Sequence, residues 1–101
     1  MNAATDLDSI RQALREALAP LRVSYGVESL AVFGSVARGE ARTTSDVDLL
    51  VRFTGEPPGM FGFVRLERHL SDLLGRPVDL VMETALKPRL RKRILAEAVA
   101  A

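Results

Sequence analysis

The chain has 101 residues, 48% hydrophobic and 27% charged, with a net charge of +1. These totals suit one soluble domain over 1-101 with a single core and give no global basic field for nucleic acid. It holds no cysteine, so disulfides and thiolate metal sites are excluded; the polar, acidic start from Met1 to Ser9 is no signal peptide, no apolar run approaches the ~18 residues of a membrane span, and a cytoplasmic protein with no membrane partner is expected.

In chain order, Asp6 to Ala19 reads as an amphipathic helix. Ile10, Leu14, Ala17, Leu18 and Leu21 recur at helical spacing. Asp6, Asp8 or Ser9 can cap its start, and Pro20 is expected to end it, kink it or open a second short helix. Gly26 supplies a stop. Leu30 to Phe33 is a short apolar run suited to a buried strand. Gly34-Ser35 follows at once, then a short helix and loop over Val36 to Glu40 and a turn at Thr43-Thr44-Ser45. Val47 to Phe53, rich in branched residues, is the clearest strand. Thr54 to Gly59 carries two glycines and two prolines and reads as a loop. Phe61 to Leu74 is a helix with Phe63, Leu66, Leu70, Leu73 and Leu74 toward the core, closed by Gly75. Pro77 to Met82 is a third strand. Pro88 to Ala98 is a last helix, with Leu86, Leu90 and Ile94 as its apolar face. The order α-β-α-β-α-β-α predicts an α/β (α+β) domain, a small mixed three-stranded sheet packed by helices.

The chemistry concentrates in Gly34-Ser35, ten residues, then Asp46-Val47-Asp48. Strand side chains alternate, so carboxylates two apart share a side. Adjacent like charges are costly without a cation between them, and hard oxygen ligands suit Mg²⁺. A lone Asp-x-Asp is more often a turn or cap; here the buried-looking Leu49-Leu50-Val51 puts Asp48 at the edge of a core. Asp79 lies in the apolar run Pro77 to Val81, where a charge needs a partner. That partner is either an arginine or the cation shared with Asp46 and Asp48. In the second case Asp79 is also the general base for an attacking hydroxyl. Gly34 lets backbone approach a ligand, and Ser35 adds a donor for a phosphate oxygen. Arg38 can contact triphosphate, or pair with Glu40 or Glu28.

Phe33 to Ala41 and Ser45 to Val51 together resemble the signature of the minimal nucleotidyltransferases of the DNA polymerase beta superfamily. Val78-Asp79-Leu80-Val81 resembles that family's third-aspartate strand, and Leu86 to Arg91 its closing helix. The resemblance spans nearly the whole chain, and within the superfamily it points to the MntA-like antitoxins of HEPN/MNT toxin–antitoxin pairs. It implies the polymerase-beta-like fold and transfer of AMP from ATP to a tyrosine of a cognate HEPN ribonuclease toxin, with which a hetero-oligomer is possible. It implies that Gly34 and Ser35 hold the triphosphate, that Asp46 and Asp48 bind two Mg²⁺ ions, and that Asp79 completes the site. Members often end in an aromatic residue, whereas this chain ends Ala98-Val99-Ala100-Ala101. Two other readings stand beside it: a binding module that silences a partner by occlusion, and a subunit of a small-molecule nucleotidyltransferase. His69 and the cluster Lys87, Arg89, Arg91, Lys92 and Arg93 read as solvated helix positions, and Tyr25 as packing beside Gly26.

Overall fold

A computed structural model of the chain describes residues 6–40 and 46–101. The turn expected at Thr43-Thr44-Ser45 lies outside them. Helix α1 (Leu7–Tyr25) begins at Asp6, whose carboxylate accepts from the Ser9 N–H at 2.7 Å. It does not stop at Pro20 but runs on to Tyr25. Pro20 is exposed, so water can satisfy the carbonyl whose hydrogen bond the proline removes. Leu21, one residue on, is buried with Leu14 and Ile10, and that burial holds the last turn. Gly26 then takes a left-handed conformation (φ 73°), and its N–H returns to the carbonyls of Leu21 and Arg22.

Strand β1 (Val27–Phe33) starts three residues earlier than its apolar run suggested. A bulge at Glu28 separates the Val27 and Ser29 pairings with β2 (Val47–Phe53). Between the two strands lies α2 (Gly34–Ala37), a single turn. Helix α3 (Met60–Leu74) follows, then β3 (Val78–Met82), a short 3-10 turn (Glu83–Ala85), α4 (Pro88–Glu97) and β4 (Val99–Ala100).

Among the described residues the sheet has four strands rather than three, in the order β3-β2-β1-β4. It is mixed as expected: β1 runs antiparallel to β2 and β4, and β2 runs parallel to β3. The antiparallel pair needs only the short α2 connection, whereas the parallel pair needs the crossover through α3. The added β4 has two residues and no periodicity that a sequence pattern could reveal.

Alternation along the strands assigns two faces. Val27, Leu30 and Val32 from β1, Val47, Leu49 and Val51 from β2, and Val78 and Leu80 from β3 form one face of the core. Ile10, Leu14 and Leu21 of α1 and Leu66, Leu70 and Leu74 of α3 cover it. Each such side chain contributes about 1.5–3 kcal/mol when fully buried. Two expectations for the helices need correction. Leu73 is 40% exposed, because the stripe Leu66-Leu70-Leu74 already fills the interface. Helix α4 buries no residue, and Leu90 is 49% exposed, so its apolar positions only partly meet the domain.

Candidate active site

The opposite face of the sheet carries the charged residues. Asp48 lies between Asp79, its partner in β3, and Phe33, its partner in β1. In-register neighbours point to the same side, so Asp48 and Asp79 share the face away from the core. Asp46 precedes the first residue of β2 and is exposed, as is Asp79, while Asp48 is half-buried.

Immediately after Phe33 the chain turns at Gly34, with φ +74°, a conformation that costs other residues about 1–2 kcal/mol. Space sets the same requirement. A Cβ on Gly34 would overlap the Asp48 carboxylate and stand 3.0 Å from its Cγ. The turn between β1 and α2 is therefore in contact with the middle aspartate. Val36, buried in the core cluster, anchors the turn from below, and Ser35 remains partly accessible.

Electrostatics mark Asp48 as the centre. Burial raises its pKa above the usual aspartate value, and the charges of Asp79 and then Asp46 raise it further. Arg38 opposes the rise and Glu97 adds to it. A half-buried carboxylate ringed by others is relieved by a cation. Among the described residues no three such side chains stand close enough to hold a metal ion as they are. Asp46 and Asp79, both exposed, would have to swing inward to share one with Asp48. The donors are all carboxylate oxygens, a set that fits Mg²⁺ rather than a softer metal.

Arg38 sits across the turn from this group. Its Nε donates to Glu40 at 3.1 Å and its Nη1 to Glu97 at 3.3 Å. Of the pairings weighed from sequence, the one with Glu40 forms. Glu97, from the last turn of α4, was not foreseen. Its Oε1 also accepts from the Gly34 N–H at 3.0 Å. A glutamate near a helix end reads as solvated, and its contact with a turn 63 residues away leaves no signal in the sequence.

The position of Asp79 is fixed from outside the sheet. β3 is an edge strand, so half of its N–H groups face away from β2. Ser71 Oγ accepts from the Val78 N–H at 3.1 Å, and the Glu67 carboxylate accepts from the Leu80 N–H at 3.0 Å. Both acceptors come from α3. They satisfy the edge and bracket Asp79 on either side.

The other side chains weighed from sequence, His69 and the basic cluster, lie elsewhere. His69 is exposed on α3, and its ring meets Tyr25 edge-on with centroids 5.8 Å apart. Lys87, Arg89, Arg91, Lys92 and Arg93 are exposed, and Arg91 pairs with Glu83 at 3.0 Å. No helix among the described residues is long and apolar enough to cross a membrane.

The model of the family described as "Nucleotidyltransferase domain" matches residues 7–101. The chain is 45% identical over 93 residues to the protein adenylyltransferase MntA of Thermococcus cleftensis, covering 92% of this chain and 93% of that one. A solved structure assigned as a minimal nucleotidyltransferase superposes with a TM-score of 0.78 at 45% identity, over 97% of this chain and 98% of that one. Two more distant structures share the fold. One is a toxin–antitoxin complex with AMP-PNP (TM-score 0.71, 21% identity, 85% of this chain and 69% of that one). The other is a tri-AMPylated Shewanella oneidensis HEPN toxin in complex with its MNT antitoxin (TM-score 0.65, 17% identity, 90% of this chain and 70% of that one).

Proposed function

The chain belongs to the nucleotidyltransferase domain family, and from that premise we propose that it is a protein adenylyltransferase of the MntA type, moving AMP from ATP to a hydroxyl of a partner protein. The acceptor is a tyrosine of a cognate HEPN-type toxin, which AMP would silence. Relatives support this reading by what they do: one is a protein adenylyltransferase, and a more distant one is found with an AMPylated HEPN toxin. The observation that carries it is the contact between Gly34 and Asp48, with Asp79 in register beside them.

The roles follow from position. Gly34 and Ser35 take phosphate oxygens at the end of β1, where backbone can approach closely. Arg38 supplies positive charge to the same phosphates. Asp46, Asp48 and Asp79 would hold two Mg²⁺ ions. When bound, the ions would lower the pKa of the acceptor hydroxyl and offset charge on the departing pyrophosphate. Asp79, exposed on the edge strand, is reachable by a hydroxyl on another protein and accepts its proton. The oxygen–phosphorus bond forms at the α-phosphorus as the bond to the β-phosphate oxygen breaks. AMP stays on the acceptor and pyrophosphate leaves.

The test uses this protein, a HEPN-type toxin from the same source, ATP and Mg²⁺, with the toxin weighed by intact mass spectrometry. One or more AMP-sized increments are expected, and none with Asp46→Asn/Asp48→Asn. A tight complex that never gains mass would remove the catalytic reading in favour of occlusion. AMP on a small antibiotic-like acceptor but never on the toxin would favour a small-molecule enzyme.

A further inference from the structure

The Gly34 N–H and the Arg38 guanidinium are two of the donors assigned above to the triphosphate, beside Ser35. Both are engaged by one carboxylate of this chain. Glu97 Oε1 lies 3.0 Å from Gly34 N and 3.3 Å from Arg38 Nη1, and Oε2 lies 3.4 Å from the same nitrogen. A carboxylate and a phosphate present the same kind of anionic oxygen to such donors. We propose that Glu97 sets the nucleotide affinity of this site by competing with the triphosphate for Gly34 and Arg38. The inference rests on the adenylyltransferase reading and adds a residue to it.

Three observations support competition over a purely structural tie. First, Glu97 adds to the negative field on Asp48, so it is held there by its two donors against like charge. Second, its side chain retains 25% exposure, which leaves the carboxylate a path to solvent. Third, the backbone beside it is pinned. Val99 and Ala100 pair with β1, the Ala101 N–H donates to the Leu30 carbonyl at 3.1 Å, and Arg11 Nε donates to the Ala100 carbonyl at 2.8 Å. Displacement therefore needs only rotation of the glutamate side chain, with α4 and β4 staying in place. The exchange swaps one charge-assisted pair for another. Its net effect is a tax on binding that disappears with the charge of Glu97.

Glu97→Gln keeps an oxygen for the Gly34 N–H and removes the charge. Glu40→Gln removes a charge from the same guanidinium at a more exposed position, 64% against 25%, and leaves Gly34 untouched. AMP-PNP with Mg²⁺ is titrated calorimetrically into the wild type and both variants. Glu97→Gln should bind about two- to five-fold tighter, the range expected for losing one partly screened charge contact. Glu40→Gln should change by less than about two-fold. Unchanged or weaker binding by Glu97→Gln overturns the proposal, and so does equal tightening in both variants, which would reduce it to bulk charge. Absence of binding by all three proteins would instead remove the adenylyltransferase reading itself. Should Glu97→Gln fail to fold, the carboxylate carbon resonance of Glu97 in the wild type decides. It should move to its solvated value on adding Mg²⁺ and AMP-PNP, and a static resonance in the bound protein overturns the proposal.

Discussion

Asp48 carries a charge that its surroundings resist, and this has opposite consequences for stability and for activity. Its pKa is raised in the fold by burial, then by Asp79 and Asp46, so the folded chain holds this proton more tightly than the unfolded one. The group is then least unfavourable to the fold below its ordinary value and becomes a burden as pH rises through the raised one. Asp48→Asn should therefore raise the melting temperature at neutral pH in EDTA, read by scanning calorimetry, while lowering AMP transfer by more than about a hundred-fold. The same shift works against metal binding in acid. Apparent Mg²⁺ affinity of the wild type should weaken as pH falls through a value above the usual 3.8 of an aspartate, measurable by titrating Mg²⁺ at several pH values. Gly34→Ala combines left-handed strain of about 1–2 kcal/mol with a methyl driven into Asp48. It should lose both stability and transfer, whereas Gly39→Ala, with the same left-handed strain (φ +73°) but open space around its added Cβ, should lose stability alone.

At the scale of elements, the edge of β3 depends on two side chains of α3. Glu67→Ala leaves the part-buried Leu80 N–H without its acceptor, at a cost of about 1–3 kcal/mol. A drop in melting temperature of roughly 4–8 °C per kcal/mol is expected for a chain of this size. Elements built on local pattern were legible: α3 from its Leu66-Leu70-Leu74 stripe and β2 from its branched run, whereas strand alternation reaches Asp48 but not Asp46, which precedes the strand. A charge inside an apolar strand drew attention to Asp79, and its place in register beside Asp48 follows from the β2–β3 pairing. What escaped depended on distant partners. The turn of α1 beyond Pro20 is held by burial of Leu21, not by propensity. The two residues of β4 exist through pairing with Ala31 and Val32. Glu97 acquires its contacts only when α4 folds back over the Gly34 turn.

For the whole molecule, the balance between folding and site is one of linkage. The fold gathers like charges on one sheet face, and any ligand that binds only that assembled face stabilises the chain. AMP-PNP with Mg²⁺ at about a hundred times its dissociation constant should add about 2.7 kcal/mol, on the order of ten degrees in melting temperature. EDTA should abolish the gain. A shift that survives EDTA would mean that the nucleotide binds away from the aspartates.

The direction of β2 separates the end that carries the proposed site from the opposite end of the domain. Gly34, Asp48, Asp79 and the last turn of α4 gather where β2 begins, while 54–59 connects β2 to α3 at its other extremity. Odd–even parity within β2 and β3 decides which side each carboxylate occupies, so one residue gained or lost inside either strand would invert the site. The distal connector carries no such parity. Its length is a free variable for an engineer, and a reporter peptide grafted there leaves the spacing of the aspartates untouched.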